Sequence, residues 1–311
     1  MRLPFRPPLA LDDLLGFFGV RSVPGVEQVA DGCYTRSVRL PGGPAVVAVA
    51  GFPPAGPDEH RVEDRAVHRP QPVDPPPVST AEGPGVWVGL LVQDPADVSP
   101  AVAACRRAFD LDADPVVVDA ALAADRLLAP SVAASPGRRA PGHVDPEELA
   151  VRAVLGQQVS LLAARRLAGR LVDLCGDPLP TPVGEVTMAF PTAAAIAEAD
   201  LDRIGMPGTR RTTLRTLAQR LAAGDIRLGP DADPDEAERR LLEIRGIGPW
   251  TAAYVRMRGL GDRDVVLTTD LGVRHALDRL GAGVDPATLA RRWSPWGSYA
   301  VQHLWAGLAA P

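Results

Sequence analysis

From Asp94 onward the chain is cut by proline and glycine into Ala-, Leu- and Arg-rich segments whose apolar residues recur at helical spacing. The segments lie near 98–110, 115–128, 145–156, 160–175, 192–204, 208–223, 234–244, 249–259, 270–280, 286–293 and 296–309. Isolated helices this short are marginal in water, so each must bury its apolar stripe against its neighbours. This part of the chain reads as a larger all-helical domain of short helices joined by tight turns. The first hundred residues differ. A short helix is expected around Leu11 to Phe18, and Tyr34 to Leu40, Ala45 to Ala50 and Val86 to Val92 are Val-rich and bounded by Gly and Pro, as strands are. Between them Pro53 to Gly85 carries nine prolines and two histidines with no sustained period, which reads as an extended insertion.

Composition removes several classes of function. With 311 residues, 46% hydrophobic and 23% charged, the chain can bury a sizeable core, about two domains' worth. Cys33, Cys105 and Cys175 lie far apart without a CxxC pair or a Cys/His cluster, so neither a disulfide framework nor a zinc or iron–sulfur site is supported. A reducing cytoplasm is the expected compartment. No apolar run reaches the roughly 18 to 20 residues of a membrane span. All 33 basic Lys+Arg residues are arginine, so chemistry that needs a side-chain amine nucleophile is closed to this chain. The net charge is -5, yet Leu149 to Val172 (Arg152, Arg165, Arg166, Arg170) and Arg203 to Arg220 (Arg203, Arg210, Arg211, Arg215, Arg220) contain no acid. Two basic stretches in an acidic protein suit either a polyanion or ordinary solvated helix faces.

The most informative stretch is Leu241-Leu-Glu-Ile-Arg-Gly-Ile-Gly-Pro-Trp-Thr-Ala-Ala-Tyr254. One amphipathic helix ends at Ile244, a Gly-Ile-Gly turn follows, and Pro249 opens the next helix where a missing N–H costs nothing. The glycines allow close backbone approach, and the free N–H groups and positive dipole end suit a phosphate. Downstream, Val265-Val-Leu-Thr-Thr-Asp270-Leu-Gly-Val-Arg-His275 places Asp270 at a helix N-terminus, where its ionised carboxylate is favoured. Taken alone, the first is first of all an ordinary turn and the second an ordinary helix cap.

Together they resemble the helix-hairpin-helix superfamily of DNA glycosylases, and within it the inducible 3-methyladenine DNA glycosylase II family. Val151-Arg-Ala-Val-Leu-Gly-Gln-Gln-Val-Ser160, Ile204-Gly-Met-Pro207, the hairpin, and Trp293-Ser-Pro-Trp-Gly-Ser-Tyr-Ala300 with His303-Leu-Trp305 occur in the family's order. The resemblance extends more loosely to Leu15-Gly-Phe17 and Val26 to Ser37. It implies an α+β chain: a small N-terminal antiparallel-sheet α/β domain over 1–110 with its Pro-rich insertion 53–85, then an all-α helix-hairpin-helix glycosylase domain over 111–311. It implies hydrolysis of the N-glycosidic bond of alkylated purines by base flipping in base-excision repair, with Asp270 as the catalytic carboxylate. Trp250, Tyr254, Trp305, Phe17 and Leu271 match positions lining the base pocket. Gln157, Gln158, Gly246, Ile247, Gly248 and Thr251 match the DNA-contacting turn and hairpin, with Gln158 where the wedge is leucine in the family's best-known pattern. The backbone carbonyls of Leu242, Ile244 and Ile247 match a monovalent-cation site, and no other cofactor is implied. Trp250 stands where lyase relatives carry a nucleophilic lysine, so a monofunctional enzyme is expected. Damaged double-stranded DNA is the expected partner, and a monomer the expected state. Trp293 and Trp296 are expected in the core, and His275 and His303 as packing or phosphate contacts. Another damaged base (hypoxanthine, uracil, an oxidised base), or a non-catalytic damage-recognition protein, stays open as an alternative.

Overall fold

The computed structural model describes residues 1–51, 83–283 and 285–309. The N-terminal part holds β1 (Arg2–Pro4), α1 (Leu11–Gly19), β2 (Glu27–Ala30), β3 (Cys33–Leu40), β4 (Gly43–Ala50), β5 (Gly85–Leu91) and α2 (Val98–Phe109). The strands form one antiparallel sheet in the order β1-β5-β4-β3-β2, and Leu40 pairs with Gly43 across the tight β3–β4 turn. Leu14, Leu15 and Phe18 of α1 and Ala101, Ala104, Ala108 and Phe109 of α2 cover it against Val47, Val49, Val86 and Val88. Phe18 stacks on Tyr34 with centroids 4.6 Å apart. The expected insertion 53–85 lies outside the described residues apart from its last three positions, and Gly85 already begins β5.

The helical part comprises α3 (Pro115–Ala123), α4 (Ala129–Ala134), α5 (Pro146–Leu155), α6 (Leu161–Cys175), α7 (Ala193–Glu198), α8 (Gly208–Ala222), α9 (Pro234–Leu242), α10 (Pro249–Gly259), α11 (Leu271–Arg279), α12 (Pro286–Trp293) and α13 (Gly297–Ala309). Four start alike: Asp114, Asp145, Asp233 and Asp285 cap α3, α5, α9 and α12, each accepting a backbone N–H of the first turn, with proline next. The carboxylate satisfies an orphan donor and the proline needs none. The expected helix 115–128 stops at Ala123, and α4 follows it as a separate helix. A hairpin of β6 (Asp177–Val183) and β7 (Val186–Ala189) interrupts the helices and packs Leu179 and Val186 on Val46 of the sheet. Its strand Asp-Pro-Leu-Pro-Thr-Pro-Val carries three prolines and so reads as loop, which a two-stranded edge tolerates.

Two helical cores share α10. Ala252 and Val255 face the core of α5 to α9, whereas Met257 joins the one built by α3, α4 and α11 to α13. Trp293 is buried there with its indole N–H on Asp125 at 2.7 Å, and Trp296 packs beside it. Leu111 still packs with the sheet, whereas Ala113 belongs to the second helical core. No described helix is long and apolar enough to cross a membrane.

Sheet and helices are joined by a buried ionic cluster. Arg36 of β3 reaches Glu148 of α5 at 2.6 Å and Glu27 of β2 at 3.7 Å. Arg152, one turn on from Glu148 and 2.9 Å from it, also pairs with Glu27, which in turn accepts the Tyr34 hydroxyl. Burial alone would raise the Glu27 pKa, but the Arg152 and Arg36 guanidiniums overcome that and hold it below the usual carboxylate value. His143 sits against both arginines at 3.4 Å. Burial and their positive charge push its pKa well below the ordinary value, so it stays neutral at physiological pH.

Glu148→Ala strands Arg36 without its nearest carboxylate, and should cost roughly 3–5 kcal/mol of unfolding free energy. Thermal and denaturant melts measure it, with Glu243→Ala, exposed at the C-terminal cap of α9, as a control giving a far smaller loss. In the turn before α10, Gly246 adopts φ +97, and a Cβ there would lie 2.2 Å from the Thr213 hydroxyl, whereas one at Gly248 meets nothing within 4 Å. Gly246→Ala should therefore lower Tm by clearly more than Gly248→Ala.

Candidate active site

The hairpin that sequence reading singled out lies between α9 and α10. Ile244 and Ile247 are buried beneath it, and the Ile247 N–H donates to the Ile244 carbonyl at 3.0 Å. Thr213 of α8 donates its hydroxyl to the Arg245 carbonyl at 2.9 Å, which draws the turn so close that position 246 has room for glycine alone. Gly248 caps α10 without a side-chain hydrogen bond, and Pro249 follows at the first helical position. The first-turn N–H groups of α10 are thus left for an outside acceptor. A monovalent cation at the expected place would draw on the carbonyl oxygens of Leu242, Ile244 and Ile247, ligands of the kind a hard cation takes. The Ile244 carbonyl keeps one lone pair beyond its bond to Ile247.

The turn between α5 and α6 leans on this hairpin. Gln157 donates its amide to the Gly246 carbonyl at 2.9 Å and to the Thr251 hydroxyl at 3.0 Å. Thr251 is only 3% exposed. Two expected DNA-contacting side chains are therefore spent on each other and fasten the turn to the hairpin. Gln158 differs: it is exposed and takes φ +54, a left-handed conformation uncommon outside glycine. An open groove of about 930 Å³ runs past Gln158, Ser160, Gly246 to Gly248, Thr269 and Leu271. Leu271, expected to line the base pocket, is 68% exposed and belongs to this groove. It is not among the residues that line the neighbouring cavity, which Asp270 borders.

At its inner end the groove meets a cavity of about 620 Å³, with Trp250 and Asp270 common to both. Trp250 and Tyr254, one helical turn apart on α10, stack at 5.2 Å with planes 8° apart. Trp305 of α13 lies 6.5 Å from Tyr254 at 50°. Asp270 caps α11, its Oδ1 accepting the Val273 N–H at 2.8 Å and the Trp305 indole N–H at 2.9 Å. Its Oδ2 accepts the Trp250 indole N–H at 2.9 Å. Glycine at 272 makes this fit, because a Cβ there would stand 2.9 Å from Oδ1 and 3.2 Å from the Trp305 ring. Three donors and a helix N-terminus thus hold one carboxylate in a single orientation at the cavity wall.

The fourth expected aromatic is placed otherwise. Phe17 is not among the cavity-lining residues; the Arg21 guanidinium covers its ring at 3.7 Å and Arg258 lies 4.6 Å from it. Those two arginines, with Arg152 and Arg165, form the lining in its place. Sequence reading gave none of the four a place in the pocket. One signal was available: Trp250, Tyr254 and Arg258 fall at i, i+4 and i+8 on one helix face. Arg258 donates to the Tyr254 hydroxyl at 3.0 Å and to the carbonyls of Pro141 and Gly142. Burial would raise the Tyr254 pKa, but Arg258 and then Arg21 outweigh it and hold the phenol below its usual value. Burial also lowers the Arg21 pKa to about 10.

The basic stretches are largely engaged within the molecule. Arg170, Arg211, Arg215 and Arg220 donate to backbone carbonyls, and Arg211 also pairs with Asp202. Their charge serves helix ends more than a polyanion, whereas Arg166 stands exposed on α6. His303 is buried against Ser131 at 2.9 Å, and burial lowers its pKa to about 4. His275 is exposed on α11. Among the described residues no group of three or more His, Cys, Asp or Glu could hold a metal ion.

The family model described as the AlkA N-terminal domain matches residues 1–71 and 78–145, and that of the HhH-GPD superfamily base excision DNA repair protein matches 151–294. A probable bifunctional transcriptional activator/DNA repair enzyme AlkA of Mycobacterium tuberculosis is 40% identical over 314 residues, covering all of this chain. The chain spans only 57% of that relative's length. DNA-3-methyladenine glycosylase 2 of Escherichia coli is 34% identical over 313 residues, covering 97% of this chain and 95% of the relative. Among solved structures, a 3-methyladenine DNA-glycosylase from Archaeoglobus fulgidus superposes with TM-score 0.78 at 20% identity, over 98% of this chain and 97% of that one, a likeness of fold. With both family models in sequence order and an E. coli relative matched almost end to end, this chain belongs to the AlkA-type HhH-GPD superfamily of base excision DNA repair proteins.

Proposed function

We propose that this protein is a monofunctional DNA glycosylase that hydrolyses the N-glycosidic bond of alkylated purines of the 3-methyladenine and 7-methylguanine type. One observation carries the reading: the Asp270 carboxylate is held between the Trp250 and Trp305 indoles at the wall of an aromatic cavity that opens beside a helix-hairpin-helix turn. The name of the E. coli relative, DNA-3-methyladenine glycosylase 2, supports action on alkylated purines, and that of the M. tuberculosis relative supports DNA repair. A duplex backbone would bring a phosphate to the N-terminus of α10, a contact that positions DNA without reading its sequence. Carbonyls of Leu242, Ile244 and Ile247 would hold a monovalent cation, adding positive charge toward that phosphate. The target nucleotide leaves the stack, its base enters the cavity, and Gln158 at the groove's rim fills the vacated space.

Bond breaking puts positive charge on the deoxyribose. Asp270 faces that charge as a fixed carboxylate and takes the proton of the attacking water. Because its acceptor sites are already ordered by Trp250, Trp305 and Val273, no reorganisation is needed as the charge develops. The rings of Trp250, Tyr254 and Trp305 present electron-rich faces to a cationic purine. A chain without lysine offers no side-chain Schiff base, so the abasic strand is left intact. The reaction consumes only water, and a monomer holding one damaged duplex is sufficient for it. The test is release of free base from methylated duplex DNA. Asp270→Asn should lower it by roughly 10²-fold or more while duplex binding persists, with strands nicked only after alkali. Unchanged excision by Asp270→Asn removes the assignment; binding of damaged DNA with no base released by wild-type protein makes it a recognition protein instead.

A further inference from the structure

A second, smaller cavity of about 190 Å³ lies where α2, the stretch 140–143, the end of α10 with the turn after it, and α13 come together. Arg258 borders both this cavity and the aromatic one, and it is the single lining residue the two share. No lining residue is shared with the groove beside the hairpin. The charges around the smaller cavity sort into pairs and a remainder. Arg106 is neutralised by Asp112, and Asp262 by Arg256. Arg258 has its three nitrogens on the Tyr254 hydroxyl and the carbonyls of Pro141 and Gly142. Two guanidiniums are left over. Arg107 makes one long contact, Nη2 to the Val144 carbonyl at 3.4 Å, and its Nε is buried without an acceptor. Burial lowers its pKa more than the charge of Asp145 restores it. Arg263 is exposed and makes no side-chain hydrogen bond or ion pair among the described residues.

A buried N–H without an acceptor is costly, and it calls for a partner the protein itself does not supply. One carboxylate stands against that partner being an anion. Asp110, at the C-terminal cap of α2, accepts the Tyr299 hydroxyl at 2.7 Å and the Ala140 N–H at 3.3 Å on its Oδ2. Burial raises its pKa to about 6, against those two bonds and the charges of Arg139 and Arg263. After pairing, Arg107, Arg258 and Arg263 face this one carboxylate, so the balance at neutral pH is positive. Pockets for drug-sized ligands measure about 300–1,000 Å³, so this one suits a smaller guest. Guanidiniums reaching in from α2 and from the turn after α10 suit a tetrahedral oxyanion, whose oxygens point in several directions and accept charge-assisted hydrogen bonds from both. We propose that this cavity is a binding site for phosphate, held between Arg107 and Arg263 and separate from the face that meets DNA.

The experiment is equilibrium dialysis of radiolabelled inorganic phosphate against the full chain at pH 7.5, with ionic strength fixed by sodium chloride. A saturating abasic duplex is present, so that the hairpin and the aromatic cavity are already occupied. Wild-type protein should take up one phosphate per chain, saturably. Arg107→Gln and Arg263→Gln should each raise its Kd at least about 10-fold, the loss of one charge-assisted hydrogen bond. Arg263→Gln is the decisive variant, because an exposed side chain without a partner can be changed without disturbing the fold. Asp110→Asn keeps an oxygen for Tyr299 and Ala140 but loses the opposing charge, and should tighten binding. Arg21→Gln, in the aromatic cavity alone, should leave the phosphate Kd unchanged. The proposal is overturned by absence of saturable uptake, by equal uptake in wild type and Arg263→Gln, or by weaker binding in Asp110→Asn. Uptake lost in Arg21→Gln but kept in Arg107→Gln and Arg263→Gln overturns it as well, and places the phosphate in the aromatic cavity.

Discussion

The cluster of Arg36, Glu27, Glu148 and Arg152 ties the two halves of this molecule to one another. Each charge in it would be expensive to bury alone, so the sheet can dock on α5 only in the register that pairs all four. Docking brings two further things. It sets α5 against α10, the helix that carries the hairpin turn at one end and Arg258 at the other. It also turns Arg152 into the cavity wall and, through the Arg21 carbonyl that Arg152 grips at 2.7 Å, fixes the N-terminal arginine beside it. The small sheet thereby shapes a cavity otherwise built by helices.

Asp270 shows how one residue type satisfies two demands. As a helix cap it stabilises α11, and a cap has the geometry a fixed anion requires: a carboxylate held at a positive dipole end with its lone pairs directed. The two indoles add what a cap lacks. Trp250 and Trp305 approach from different helices and donate to different oxygens, so α10 and α13 must both be seated before the carboxylate is fully held. Gly272 is the condition for Trp305 to come near enough. Site order is thus a consequence of core order.

Much of this was legible in the sequence. The Asp-Pro pairs at 114, 145, 233 and 285 announce helix starts because cap and first-turn chemistry are local. The hairpin and Asp270 are legible for the same reason. What depends on long-range contact was not. The strand β2 is a four-residue edge whose partner is β3, and β6 is a proline-rich edge, so neither announces itself locally. Phe17 carries an aromatic signal, but Arg21 lies over its ring and takes its place at the cavity. Gln157 and Thr251 looked like contacts for DNA, yet each is the other's partner across 94 residues of chain. Arginines on helices read as solvated faces. Only the folded arrangement sets four of them around one cavity.

The central claim is that Asp270 stabilises positive charge at the sugar of an extruded nucleotide. The most direct measurement is the affinity for a duplex whose target sugar is replaced by a pyrrolidine, cationic where the oxocarbenium charge would form, compared with the neutral tetrahydrofuran analogue. The account predicts binding to the pyrrolidine duplex roughly 10²-fold tighter or more, with that advantage lost in Asp270→Asn. Equal affinity for the two duplexes, or an advantage that survives Asp270→Asn, would contradict it.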